Sequence, residues 1–207
     1  MTGQATFWRG DTPLVLASGS ATRLQLLEAA GLPVEVIKPD VDERLIEAEF
    51  LAMGGPPAGV AAALAEAKAL SVSPAHPGRV VLSADQMLIC EGRPFHKPED
   101  AAGAEHQIAM LAGRKHELTS AFALALDGRI VGSGASSAEL TMRSLTADYI
   151  RHYVALAGAA ATTSVGGYQL EGLGIHLFET IEGDHSTILG LPMLSLLAVL
   201  RNLDLAA

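Results

Sequence analysis

Two residues near the middle of the chain limit its architecture more than any others. Asp127-Gly128 separates two long runs of strand-forming residues, His116 to Leu126 and Arg129 to Leu140. Asp-Gly between such runs is a strong hairpin signal, because the tight turn needs positive φ at both central positions. The chain therefore contains an antiparallel strand pair. Around it the pattern alternates. Leu14 to Ala17, Val34 to Ile37, Arg79 to Ala84 and Ile175 to Ile181 read as short strands. Between and after them, helices are predicted from Thr22 through Ala30, over Glu43 to Met53, Gly59 to Leu70, Glu99 to Ala112, Thr146 to Ala157 and Pro192 to Leu203. Thr22 with Gln25 suits a capping box, Gly31 a helix stop, and Gly54-Gly-Pro-Pro57 a breaker. Strands alternating with helices, plus one hairpin, predict an α/β fold with a mixed β-sheet and flanking helices. Residues 1–13 form an N-terminal arm and residues 14–207 one domain.

Composition narrows the function. The net charge is −9 and no basic run is present, which excludes a general nucleic-acid binder. An anionic small substrate would need a local positive site built against that charge. Cys90 is the sole cysteine, so no internal disulfide forms. No signal-peptide layout opens the chain, and the most apolar stretch, Ile188 to Leu200, is too short for a bilayer and contains Pro192. The expected location is cytoplasmic, with no membrane partner.

Four places carry groups suited to chemistry. Leu14-Val-Leu-Ala-Ser-Gly-Ser-Ala-Thr-Arg23 runs from strand through a small-residue loop into a helix start. Such a loop offers unpaired N–H groups and a helix dipole to a phosphate; Ser18 and Ser20 add hydroxyls and Arg23 a planar cation. The plainer reading is an ordinary connection with capping hydroxyls. Asp85 stands at the end of the apolar strand Arg79 to Ala84, where α/β sheets gather ligands and a bare buried carboxylate is too costly. Lys97, in His96-Lys-Pro98, could reach a phosphate; Lys68, alone on an alanine-rich helix, would ordinarily be solvated. Asp40, Asp42 and Glu43 offer hard oxygen ligands suited to magnesium or manganese, or serve simply as acidic residues before a helix. No zincin His pair, nucleophile elbow, Cys-x-x-Cys or Walker lysine is present.

In order and spacing these segments resemble the Maf family of nucleotide pyrophosphatases. The resemblance runs through Leu16-Ala-Ser-Gly-Ser-Ala-Thr-Arg23, Pro39-Asp-Val-Asp-Glu43, Ala67-Lys-Ala69, Ser83-Ala-Asp-Gln86, His96-Lys-Pro98, Glu171-Gly-Leu-Gly174, and Ile181-Glu-Gly-Asp184 through Gly190-Leu-Pro192. It implies a Maf/ITPase-like fold with two lobes around a cleft, usually a homodimer. It also implies cleavage of nucleoside triphosphates between the α- and β-phosphates, with Mg2+ or Mn2+ as cofactor. Asp85 would be the general base or a metal-bound carboxylate, and Glu43 a second metal ligand. Ser18, Ser20, Arg23, Lys68 and Lys97 would hold the triphosphate. Gln86 and Glu171 resemble the branch acting on 7-methylguanosine triphosphate, where a carboxylate can pair with a guanine edge. Thr22 stands where that branch carries Trp, and His96 replaces the usual glycine before the lysine. A nucleotide-binding regulator connected with septum formation, without turnover, is the alternative, and a ligand-free structural domain a third reading. Asp85, Lys68 and Lys97 together favour catalysis over both.

Overall fold

Apolar runs of the lengths above have two ways to hide: as strands inside a sheet, or as helix faces laid on it. The computed structural model, which describes residues 7–207, uses both. In chain order the elements are β1 (Leu14–Ala17), α1 (Ala21–Ala29), β2 (Val34–Ile37), α2 (Glu43–Ala52), α3 (Val60–Val72), β3 (Val81–Cys90), β4 (Arg93–Phe95), α4 (Ala101–Leu111), β5 (Lys115–Leu126), β6 (Arg129–Met142), α5 (Ala147–Ala157), α6 (Ala160–Thr163), β7 (Phe178–Glu182), α7 (His185–Ile188) and α8 (Met193–Asn202). The sheet has seven strands in the order β2-β1-β3-β5-β6-β7, with β4 paired to β3. β1 is parallel to both β2 and β3, while β3–β4 and β6–β7 are antiparallel. The expected α/β class with a mixed sheet and flanking helices is what forms.

The hairpin at the middle follows its sequence. Asp127 and Gly128 both take positive φ, 50° and 74°, the turn whose twist matches that of the flanking strands. Asp127 adds a second task, its carboxylate accepting from Gly78 N–H at 2.7 Å.

The chain divides into two units. The first comprises the chain up to Gln86, Ser120–Ser136 and Gly190–Ala207. Its main core packs Leu14, Leu16, Leu82, Ala84, Phe122 and Leu124 of the sheet against Leu27 of α1 and Leu196 and Leu200 of α8. On the opposite sheet face, Val15, Ala17 and Val81 meet Val72 of α3. Connections leave β1 on one face and enter β3 on the other, so the carboxyl ends of β1 and β3 flank a topological switch point, the place where open α/β sheets bind ligands. Trp8 is also buried in this core, and its indole N–H donates to Thr12 O at 2.9 Å. Residues 7–9 run antiparallel to 205–207, bridged at Trp8 and Ala206.

The second unit, Met87–Thr119 with Ser137–Leu189, has its own core. Leu88, Ile108, Leu111, Leu118, Leu140, Met142 and Val154 are among its buried residues, and Cys90 joins them as the small apolar residue expected from sequence.

Three local expectations shift. Ser20, not Thr22, caps α1, accepting from Arg23 N–H. Asp85 does not end a strand: β3 continues to Cys90, because Met87–Cys90 bury apolar side chains and turn through Glu91-Gly92 into β4. The stretch from Ile175 reads as strand only from Phe178, the residues Leu173–Leu177 making a 3-10 turn.

Candidate active site

The loop after β1 is built around the Ser18 hydroxyl. Buried Ser18 Oγ accepts from Ser20 N–H and from Arg23 Nη1, both at 3.2 Å. Ser20 in turn caps α1. Arg23 lies three residues past that cap, so the first turn of α1 carries its side chain back across the loop. Arg23 Nε donates to Gly190 O at 2.9 Å. Gly190 holds φ +95°, and a Cβ there would lie 3.4 Å from Arg23 Nε; glycine lets the carbonyl face the guanidinium. Burial pulls the Arg23 guanidinium below its ordinary pKa, while the charges of Asp85 and Glu43 oppose the shift. Arginine stays cationic through such a shift. Thr22, in the first turn of α1, is partly buried beside this loop.

The second half of the site is an ion triad. Lys68, on α3, is only 5% exposed. Its Nζ meets Asp85 Oδ1 at 2.6 Å and Glu43 Oε1 at 2.7 Å. Alanines make this burial feasible: Ala65 and Ala69 of α3 rest on Ala123 and Ala125 of β5, so the helix lies close to the sheet. Glu43 opens α2 with Asp42 as its N-cap, so of the acidic group Asp42 takes the structural part and Glu43 the polar one. Asp85 owes its position to register. β1 pairs with β3 at Val15↔Val81 and Leu16↔Leu82 and ends at Ala17, so Asp85 lies beyond the end of its parallel neighbour. The strand-end environment expected from sequence is thereby met by β1 rather than by β3.

Gln86, next along β3, has its Nε2 donating to the buried Ser120 Oγ of β5 at 3.0 Å. Ser120 was not among the residues expected from sequence; its one signal was a hydroxyl immediately before the apolar run Ala121–Leu126 of β5.

In the first unit, then, Ser18, Ser20, Thr22, Arg23, Glu43, Lys68, Asp85 and Gln86 come together around the β1 end. Lys97 and Glu171 belong to the second unit. Lys97 is exposed in the segment after β4, which Gln107 of α4 fastens by donating to His96 O at 2.9 Å. Glu171 is exposed in a tight loop where Gly172 and Gly174 N–H both donate to Gln169 O.

Chemically, the first unit presents a helix N-terminus, a guanidinium and an ammonium beside two carboxylates. That is a charge pattern for a polyphosphate with a divalent cation. Among the described residues no group of three or more His, Cys, Asp or Glu has metal-ligand geometry.

Comparison with known proteins settles the lineage. Residues 13–203 match the family described as Maf-like protein. The chain belongs to the Maf-like protein family. Among its relatives, a nucleoside triphosphate pyrophosphatase of Rhodopseudomonas palustris (strain BisB18) is 53% identical over 98% of this chain and 99% of its own. A 7-methyl-GTP pyrophosphatase of Mesorhizobium japonicum is 50% identical over 92% of this chain and 96% of its own. A solved HAM1 protein from Coxiella burnetii has 16% identity and a TM-score of 0.43, over 63% of this chain and 72% of that one. In this Maf-like protein the opening loop, the acidic segment and the aspartate strand all belong to the first unit.

Proposed function

We propose that this chain is a metal-dependent pyrophosphatase that hydrolyses nucleoside triphosphates to the monophosphate and pyrophosphate. The observation that carries it is Lys68, buried between Glu43 and Asp85 beside the Ser18–Arg23 loop. The names of the relatives above support it.

Each residue has a task that its position allows. The N–H groups at the start of α1 and the Arg23 guanidinium bind phosphate oxygens, with Ser18 and Ser20 holding the loop in shape. Lys68 follows as a point charge. Glu43 and Asp85 would hold Mg2+ or Mn2+: both are hard carboxylates brought together at Lys68, each meeting it through one oxygen, and magnesium sites commonly take one or two carboxylates and complete their shell with phosphate oxygens and water. When bound, the cation supplies Lewis-acid polarisation of a phosphoryl oxygen and of water. Asp85 accepts the proton of the attacking water; the new bond forms at the α-phosphorus, and the bond to the bridging oxygen breaks as pyrophosphate departs with the electron pair. The cations stabilise the charge spreading over the phosphate oxygens.

For the base, Gln86 offers an amide, a group suited to a guanine edge. The Mesorhizobium relative's name supports a 7-methyl-GTP-like substrate. We read the protein as a homodimer, as the family resemblance implies, and place it in the cytoplasm on the sequence reading above; among the described residues no helix is long and apolar enough to cross a membrane.

Pyrophosphate release from a panel of nucleoside triphosphates, including 7-methyl-GTP, with and without Mg2+ or Mn2+, tests the proposal. Wild type turns over only with metal, and Asp85→Asn loses about 100- to 10,000-fold. Binding without release from any nucleotide would sink the hydrolase and leave the regulator.

A further inference from the structure

Side chains alternate across a strand, and β3 uses that alternation to serve both sheet faces. Val81 packs with Val72 on the α3 face; Leu82 and Ala84 pack with Phe122, Leu124 and α8 on the other. By the same period Asp85 belongs with Val81, which is where it meets Lys68 of α3. Gln86 belongs with Leu82 and Ala84, and there it reaches Ser120. Ser120 precedes Phe122 by two residues and Leu124 by four, so the three share one face of β5. Phenylalanine and leucine at the next positions bury apolar surface, whereas Ser120, fully buried, puts a hydroxyl there. A buried hydroxyl is costly unless bonded, and Ser120 Oγ accepts from the Gln86 amide at 3.0 Å.

We infer that Ser120 is a specificity-positioning residue: its hydroxyl holds the Gln86 amide in the orientation that reads the nucleobase. This rests on the reading above in which Gln86 contacts the base. A primary amide has a donating end and an accepting end, and a base edge is a fixed order of donors and acceptors. An amide that can turn matches either order; one whose NH2 end is tied to Ser120 Oγ sets its carbonyl on the opposite side. That carbonyl suits a base edge rich in N–H donors, such as the ring N–H and exocyclic amino group of a guanine. Sites that recognise by hydrogen bonding reject a mismatched partner because polar groups are left unpaired, and such rejection requires the reading group to be held still.

The test measures binding, so it does not depend on turnover. Dissociation constants for the α,β-methylene analogues of GTP and UTP are taken by calorimetry for wild type, Ser120→Ala, Gln86→Ala and the double variant, each checked by thermal melting. Losing the bond in Ser120→Ala narrows the GTP-to-UTP ratio about fivefold, and the double variant shows the same ratio as Gln86→Ala alone, because Ser120 acts through that amide. A ratio that moves in Gln86→Ala but not in Ser120→Ala overturns the inference and leaves Gln86 as the base contact. A ratio unmoved in both overturns the inference together with that contact. Effects that simply add in the double variant overturn it as well, since Ser120 would then act independently.

Discussion

Lys68 shows how a residue can be ordinary in sequence and decisive in space. On an alanine-rich helix a lone lysine reads as a solvated side chain, because nothing periodic marks its partners. Those partners, Glu43 and Asp85, come from α2 and β3, and the ammonium lies 2.7 and 2.6 Å from them. The same alanines that made it look solvated let α3 sit close enough to the sheet to bury it. Asp85 has a side chain only 14% exposed, Glu43 one that is 56% exposed, so the Asp85 half of the pair carries most of the energy. Lys68→Met strands a buried carboxylate and is expected to cost about 2 kcal/mol of stability, with solvent reducing the share from Glu43. Urea unfolding at neutral pH measures this. Adding Asp85→Asn to that variant removes the stranded charge, so the double variant unfolds at higher urea than Lys68→Met; equal midpoints would mean that the two groups are not coupled.

At the scale of elements, what the sequence shows well is where apolar runs begin and which turns separate them. β1, β2, the β5–β6 hairpin and α8 fall where the pattern puts them, since each rests on local rules. The cap of α1 was harder to read: Ser18, Ser20 and Thr22 all carry hydroxyls suited to capping, and tertiary contact made the choice. Ser18 is occupied by Arg23, leaving Ser20 to cap. Ser20→Ala is therefore expected to cost about 1 kcal/mol in unfolding free energy and to raise KM for the nucleotide, since the cap also shapes the phosphate loop. Thermal melting and steady-state kinetics on one variant check both; an unchanged KM would make the cap purely structural. The run of β3 past Asp85 was illegible for a related reason. Two adjacent polar residues, Asp85 and Gln86, resemble a strand end, yet each has a partner on its own sheet face, so the strand carries on. Ser120 stayed hidden because only the register of β3 against β5 reveals what it touches.

At the scale of the whole molecule, each unit stands on its own core, and the second contains a titratable group. His116 is buried with its ring 5.8 Å from those of Tyr168 and Phe178, and Nε2 lies 2.8 Å from the Tyr168 hydroxyl. Burial lowers its pKa to about 4, against a smaller opposing effect of the Arg114 backbone. The unfolded chain, with histidine near its ordinary 6.5, binds more protons between those values. Stability from this group is therefore complete above about pH 6.5 and is lost as pH falls toward 4, a change of about 3 kcal/mol. Unfolding free energies at pH 7 and 4.5 should differ by less in His116→Gln than in wild type; the same difference in both would exclude His116 as the source. The sheet also has a consequence for how such a chain can vary. Positions 85 and 86 look out on opposite sides of one strand, Asp85 toward Lys68 and Gln86 toward Ser120. Under the proposed function, a substitution that changes base preference on the one side leaves the Lys68–Asp85 contact on the other in place, so appetite and competence need not be traded against each other.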